Sequence, residues 1–137
     1  MVTDSVQSNF YIFFGSGDEY GEIFPSLSNL IDSNWGLFSI FWNGANEITT
    51  GYMSVDTERA NSAAQKHLLR EELTQSLGLA RDSFLYQESI FQQDWTTTNE
   101  YAEIDKELIR LLYHPDMSVG LNSSQVDEVL TDILLSE

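Results

Sequence analysis

Apolar residues gather in separate runs along the chain, and the spacing within each run predicts an element. At 9–14 the unbroken Phe-Tyr-Ile-Phe-Phe stretch, closed by Gly15-Ser16-Gly17, predicts a buried strand. Residues 22–32 predict a short helix, with Pro25 near its first turn and Phe24, Leu27, Leu30 and Ile31 on one side. Residues 37–42 and 48–56 read as two further strands joined by Asn43-Gly44-Ala45-Asn46, a turn with hairpin chemistry. A helix is expected over 60–77, with Leu68, Leu69, Leu73, Ser76 and Leu77 on its inner face and Gly78 at its left-handed terminus. Beyond an irregular stretch at 82–99, a helix over 100–113 carries Tyr101, Ile104, Leu108, Leu111 and Leu112 on one face, and Pro115 ends it. A last amphipathic helix, capped by Ser123 or Ser124, presents Val126, Val129, Leu130, Ile133 and Leu134. Strands precede helices, so the expected class is α+β in a single domain over 1–137.

Charge changes this picture more than composition does. Twenty-two acidic against six basic residues give a formal charge of -16. Such a chain repels phosphates, which excludes nucleic acid and anionic membrane as expected partners. The acids are scattered, which suits a solvated surface; an attraction for cations or a basic partner is the functional reading. No stretch approaches the apolar length of a membrane span, so no membrane insertion is expected. With no cysteine, thiolate metal sites and disulfides are excluded.

One polar residue breaks the apolar logic. Glu72 falls inside the inner stripe of the 60–77 helix, where a carboxylate needs a partner or a raised pKa. Glu71 and Gln75 stand four residues apart, which puts them on one face, and Arg81 and Asp82 follow the Gly78 turn.

The run Glu-Glu-Leu-Thr-Gln-Ser-Leu-Gly-Leu at 71–79, the triplet Ser89-Ile90-Phe91 and the segment 105–121 resemble a bacterial family known as domain of unknown function 2927. More distantly, the same run resembles the active-site helix of metzincin zinc proteases, His-Glu-x-x-His-x-x-Gly-x-x-His. Glu71, Glu72, Gln75, Gly78 and Arg81 hold the five motif positions, so the zinc-binding histidines are replaced while Glu72 keeps the general-base position. Ser89-Ile90-Phe91 resembles the methionine turn, with Phe91 where the methionine would be, and 105–113 resembles the later helix. The resemblance implies a zincin-like fold: a twisted mixed sheet packed on an active-site-type helix and closed by C-terminal helices. The strand and long helix that usually open such a sheet are not evident, so the chain is either a fragment lacking them, which is the preferred reading, or a domain whose N-terminal part is shortened. The family resemblance also implies an envelope or secreted location.

Three chemistries compete for these residues. Zinc is disfavoured, because an amide is a poor zinc ligand and a guanidinium is none. Oxygens of Glu71, Glu72, Gln75 and Asp82 could hold calcium or magnesium, but their spacing is not that of a calcium loop. In the third reading Arg81 replaces the metal's charge and pairs with Glu71 or Glu72, its alternative being a solvent-facing arginine. No cofactor or metal is therefore expected; if one binds, Glu71, Gln75 and Asp82 are its candidate ligands. His67 shares a helix side with Glu71 and Gln75, which a packed or solvated histidine also explains, and His114 reads as a helix-end residue. Ser89 and Asp94 are read as turn or helix caps, and Asp105 as bonding back to a loop. A glycosidase pair drawn from Glu71, Glu72 and Glu88 lacks any sugar platform. The expected function is a non-catalytic cleft, lined by Glu71, Glu72, Gln75, Arg81, Asp82 and Phe91, that binds a peptide or protein. The alternative is a hydrolase with a non-standard metal or with Glu72 as general base.

Overall fold

The computed structural model describes residues 5–137 and joins β1 (Phe10–Gly15), β2 (Gly36–Trp42) and β3 (Ile48–Asp56) in one sheet of order β1-β3-β2. β1 runs parallel to β3, with Ile12 opposite Met53, and β2 runs antiparallel to it, with Phe38 opposite Met53. The β2–β3 turn is the expected hairpin. The Asn43 side chain accepts from the Ala45 and Glu47 N–H groups, and Asn46 takes a left-handed φ of 63° that asparagine tolerates.

Alternation along β3 sends Met53 and Val55 to one face and Tyr52 and Ser54 to the other. Helix α3 (Ser62–Ser76) covers the first face: Met53, Val55, Ala60, Ala64 and Leu68 form the buried core, with Phe10, Phe38, Leu69 and Leu73 packed against it. Asn61 starts this helix by accepting from the Ala63 and Ala64 N–H groups. The opposite face carries α1 (Gly17–Ile23) and α2 (Ser28–Ile31); Tyr20 of α1 and Phe24 just beyond its end join Phe13 and Tyr52 in an aromatic chain, and Phe24 stacks on Tyr52 at 4.1 Å.

Several expectations are corrected here. The strand at 9–14 is not buried: among the described residues β1 pairs only with β3, and Ile12 and Phe14 stand largely exposed because α3 lies over β2 and β3. Gly15-Ser16-Gly17 does not merely end a strand. Ser16 caps α1 in a reciprocal box, accepting from the Glu19 N–H while the Glu19 carboxylate accepts from the Ser16 N–H. The helix expected over 22–32 is divided between the end of α1, a 3-10 turn at Pro25–Leu27 and the four residues of α2. Leu77 lies beyond α3 and is half exposed.

The link from sheet to cleft is an ion pair at the end of β3, between buried Asp56 and the exposed Arg59. Asp56 accepts from the N–H groups of Gly17, Glu58 and Arg59 and from Arg59 Nε at 2.6 Å. Arg59 in turn donates to the carbonyls of Ile31, Asp32 and Asn34. One aspartate and one arginine thus pin the 31–34 loop that leads into β2. These bonds outweigh burial and hold the Asp56 carboxyl below its ordinary pKa.

The C-terminal helices are α4 (Glu103–Leu112) and α5 (Ser123–Ser136), and Asn122 caps α5 in place of Ser123 or Ser124. Gly78, at φ 127°, ends the α3 turn, and a side chain there would meet Leu112 of α4. Asp105, fully buried in the first turn of α4, does reach a loop. It accepts from Ser89 Oγ, from the Ile90 N–H at 2.9 Å and from the Ala102 N–H at 2.8 Å. Ser89 also caps its own turn by accepting from the Phe91 N–H.

Candidate functional site: an acidic cleft along α3

His67, Glu71, Glu72 and Gln75 rise along one side of α3 because they are spaced about one helical turn apart. They form the floor of a cleft of about 380 Å³. One wall is Trp35 and Gly36 at the entry to β2, reached through the pinned 31–34 loop. The other is the segment 92–96, which follows the turn held by Asp105, and Asp82 closes one end.

Glu72 is the least accommodated group. Only 9% of it is exposed, and it makes no hydrogen bond with any described residue. Burial, then the charges of Glu71 and Asp82, push its carboxyl up to about 8, so it holds its proton at neutral pH. Gly36 makes this position possible. A methyl group there would fall 2.6 Å from Glu72 Oε1 and 2.9 Å from Leu68 Cδ2. Gly36→Ala is expected to displace Glu72 and to lower stability by about 1–3 kcal/mol in urea unfolding. Loss of the penalty in a Glu72→Ala background would locate the clash on that side chain.

The neighbours are paired. His67 Nδ1 lies 2.6 Å from the Thr98 carbonyl oxygen, which requires a proton on Nδ1, and Nε2 faces Glu71 at 3.1 Å. Burial opposes the charged ring, but the bonds to Glu71 and Thr98 and the charge of Asp82 outweigh it, and the His67 pKa is raised. Gln75 Nε2 donates to Asp82 Oδ1 at 2.5 Å. Burial and Glu71 push Asp82 up to about 6, against the opposing pull of Gln75 and His67.

Of the residues expected at a site, Glu71, Glu72, Gln75 and Asp82 share this cleft, and His67 joins them. Arg81 does not. It is exposed, lies off the cleft lining and makes no side-chain hydrogen bond or ion pair with any described residue, so the guanidinium-for-metal pairing does not form. The chain turns at Gly78 and tightens again where the Arg81 N–H bonds the Leu79 carbonyl, and the next residue, Asp82, is the one presented to Gln75. Phe91 is also off the lining. It is buried beneath the turn, where its carbonyl accepts from the Ser83 N–H, and Gln92 faces the cleft instead. Asp94 lines the cleft and makes no capping bond with a described residue, contrary to its reading as a cap.

Sequence reasoning missed Trp35 and Trp95. They come from loops far apart in the chain and meet edge to face at 5.3 Å, with Trp95 also 5.9 Å from the His67 ring. No local periodicity marks either residue. The available signal was two tryptophans in polar, loop-like surroundings.

The donors do not suit zinc. Both His67 nitrogens are committed to Thr98 and Glu71, the Gln75 amide is committed to Asp82, and no three His, Asp or Glu side chains among the described residues converge as a ligand set.

A small mixed sheet with a carboxylate-lined cleft along one helix defines an α+β domain whose site is acidic and rimmed by tryptophan. Residues 1–132 match the family described as protein of unknown function (DUF2927), and the chain belongs to that family. No curated protein and no solved structure matches it.

Proposed function

We propose that this is a zincin-like domain that binds an extended peptide in its cleft without cleaving it. The observation that carries the reading is the edge of β2. Among the described residues β2 pairs only with β3, and its first residue, Gly36, forms a wall of the cleft together with the preceding Trp35. The Asp56 N–H bonds the Trp35 carbonyl, so by antiparallel alternation the N–H groups of Gly36, Phe38 and Ile40 face the open edge. A peptide laid along that edge completes the ladder and sends alternate side chains toward α3. The zincin comparison is supported by the α3 glutamates that line the cleft, by Gly78 at the end of that helix, and by the Asp105-held turn at 89–91 that leads into the 92–96 wall.

The hydrolase reading is weaker on the chemistry of Glu72. Raised to about 8, Glu72 rests protonated at neutral pH, which suits a general acid rather than the base this reading assigns it, and no three His, Asp or Glu side chains among the described residues converge to hold a metal-bound water.

The test is an NMR titration of 15N-labelled protein with a mixture of random-sequence peptides, followed by mass spectrometry of the peptides. Shifts at Gly36, Phe38 and Ile40 with intact peptides are expected. Cleaved peptides would overturn the non-catalytic reading, and shifts that avoid β2 would overturn the edge pairing.

A further inference from the structure

Four carboxyl groups, Glu71, Glu72, Asp82 and Asp94, line one cleft, yet none of the six lysines and arginines of the chain lines it. The only basic side chain there is His67, already committed to Glu71 and Thr98. Glu72 adds an independent observation: a side chain nine-tenths buried, without a hydrogen-bond partner among the described residues, and aimed into the cleft. Its oxygens are not sealed in the core, so they are open to a donor brought into the cleft by a bound group. Above it the exposed Trp35 and Trp95 stand together at the rim, an aromatic surface beside an acidic floor.

We propose that the cleft receives one cationic side chain, lysine or arginine, from the bound segment, with its head against Glu72 and Glu71 and its stem along the Trp35–Trp95 pair. This rests on the peptide reading and names the residue class that the cleft selects. Tryptophan faces attract ammonium and guanidinium groups and cover their aliphatic stems, which a hydrated metal ion does not offer. The scattered geometry of the carboxyls points the same way, since no three of them converge as a metal set among the described residues. A cationic head bonded to Glu72 supplies a donor and favours the ionised carboxylate.

Isothermal titration with the Nα-acetyl amides of arginine and lysine, against those of citrulline and norleucine, tests this directly. The cationic amides are expected to bind at least tenfold more tightly than their neutral counterparts. Glu72→Gln and Trp95→Ala are each expected to weaken that binding about tenfold. Equal affinity for arginine and citrulline amides, no binding of either cationic amide up to about 10 mM, or wild-type affinity in both variants would overturn the proposal. So would stoichiometric binding of calcium or zinc that displaces the arginine amide. The small amides do not need the β2 edge. A peptide that shifts the β2 amides equally well after arginine is changed to citrulline sinks the cation pocket and spares the peptide reading. Amide binding without any peptide shift at β2 does the reverse.

Discussion

Glu72→Gln is expected to stabilise the protein at pH 8 and to remove most of the pH dependence of its stability. In the unfolded chain Glu72 releases its proton near 4.5, whereas in the fold it holds the proton up to about 8. Between these values the folded state binds the extra proton, so stability is fully present below pH 4.5 and is lost as pH rises toward 8. The loss accumulates to roughly 4 kcal/mol by the upper end of the window. Glutamine keeps the shape that fits against Gly36 and has no proton to lose. His67 and Asp82, whose pKa values are also raised, add slope of the same sign, and they supply what remains in the variant. Asp56, with its lowered value, acts in the opposite sense, but only on the acid side of its ordinary 3.8. Urea unfolding of both proteins at pH 5 and pH 8 decides the matter. Wild type should be clearly more stable at pH 5, and the variant should keep only the smaller slope of Asp82 and His67. A variant with the wild-type slope would mean that Glu72 is not the buried acid described above.

Asp105→Ala is expected to be the most damaging single change outside the apolar core. Its carboxylate satisfies the Ser89 hydroxyl and the Ile90 and Ala102 N–H groups in a site with no solvent exposure. Alanine orphans three donors at once, and a loss of roughly 3 kcal/mol or more follows. Asp105→Asn retains one acceptor oxygen for the two N–H groups, while Ser89 can turn its hydroxyl, so about half of that loss is expected. The same change releases the 92–96 wall, so cleft binding should weaken in the asparagine variant even where it remains folded. Urea unfolding with an unchanged m-value reads the first effect. A loss below about 1 kcal/mol for the alanine variant would show that the turn is held by other contacts.

These two residues were unequally legible. Glu72 was conspicuous as an acid in an apolar stripe, because helical periodicity is a local property and an exception to it shows in a single chain. Its position against Gly36 was not, since that contact joins segments far apart in sequence. Asp105 was expected to bond back to a loop, but three donors converging on one carboxylate depend on how α4 meets the 89–91 turn. The capping box of α1 stood in plain view at Ser16 and Glu19 and was outweighed by the two flanking glycines, which read as a strand end.

Hydrophobic spacing and cap chemistry, acting over a few residues, were enough to place three strands, the main helix, its Gly78 terminus and the two C-terminal helices. They also brought Glu71, Glu72 and Gln75 to one helix face. Everything that makes those residues a site comes from contacts between distant segments. Arg81 turned away and Asp82 turned in because the backbone tightens at 79–81; Trp35 and Trp95 met across the cleft because Arg59 pins one loop and Asp105 the other. Local pattern carries a period and a cap, whereas the partner of a buried charge is chosen by packing.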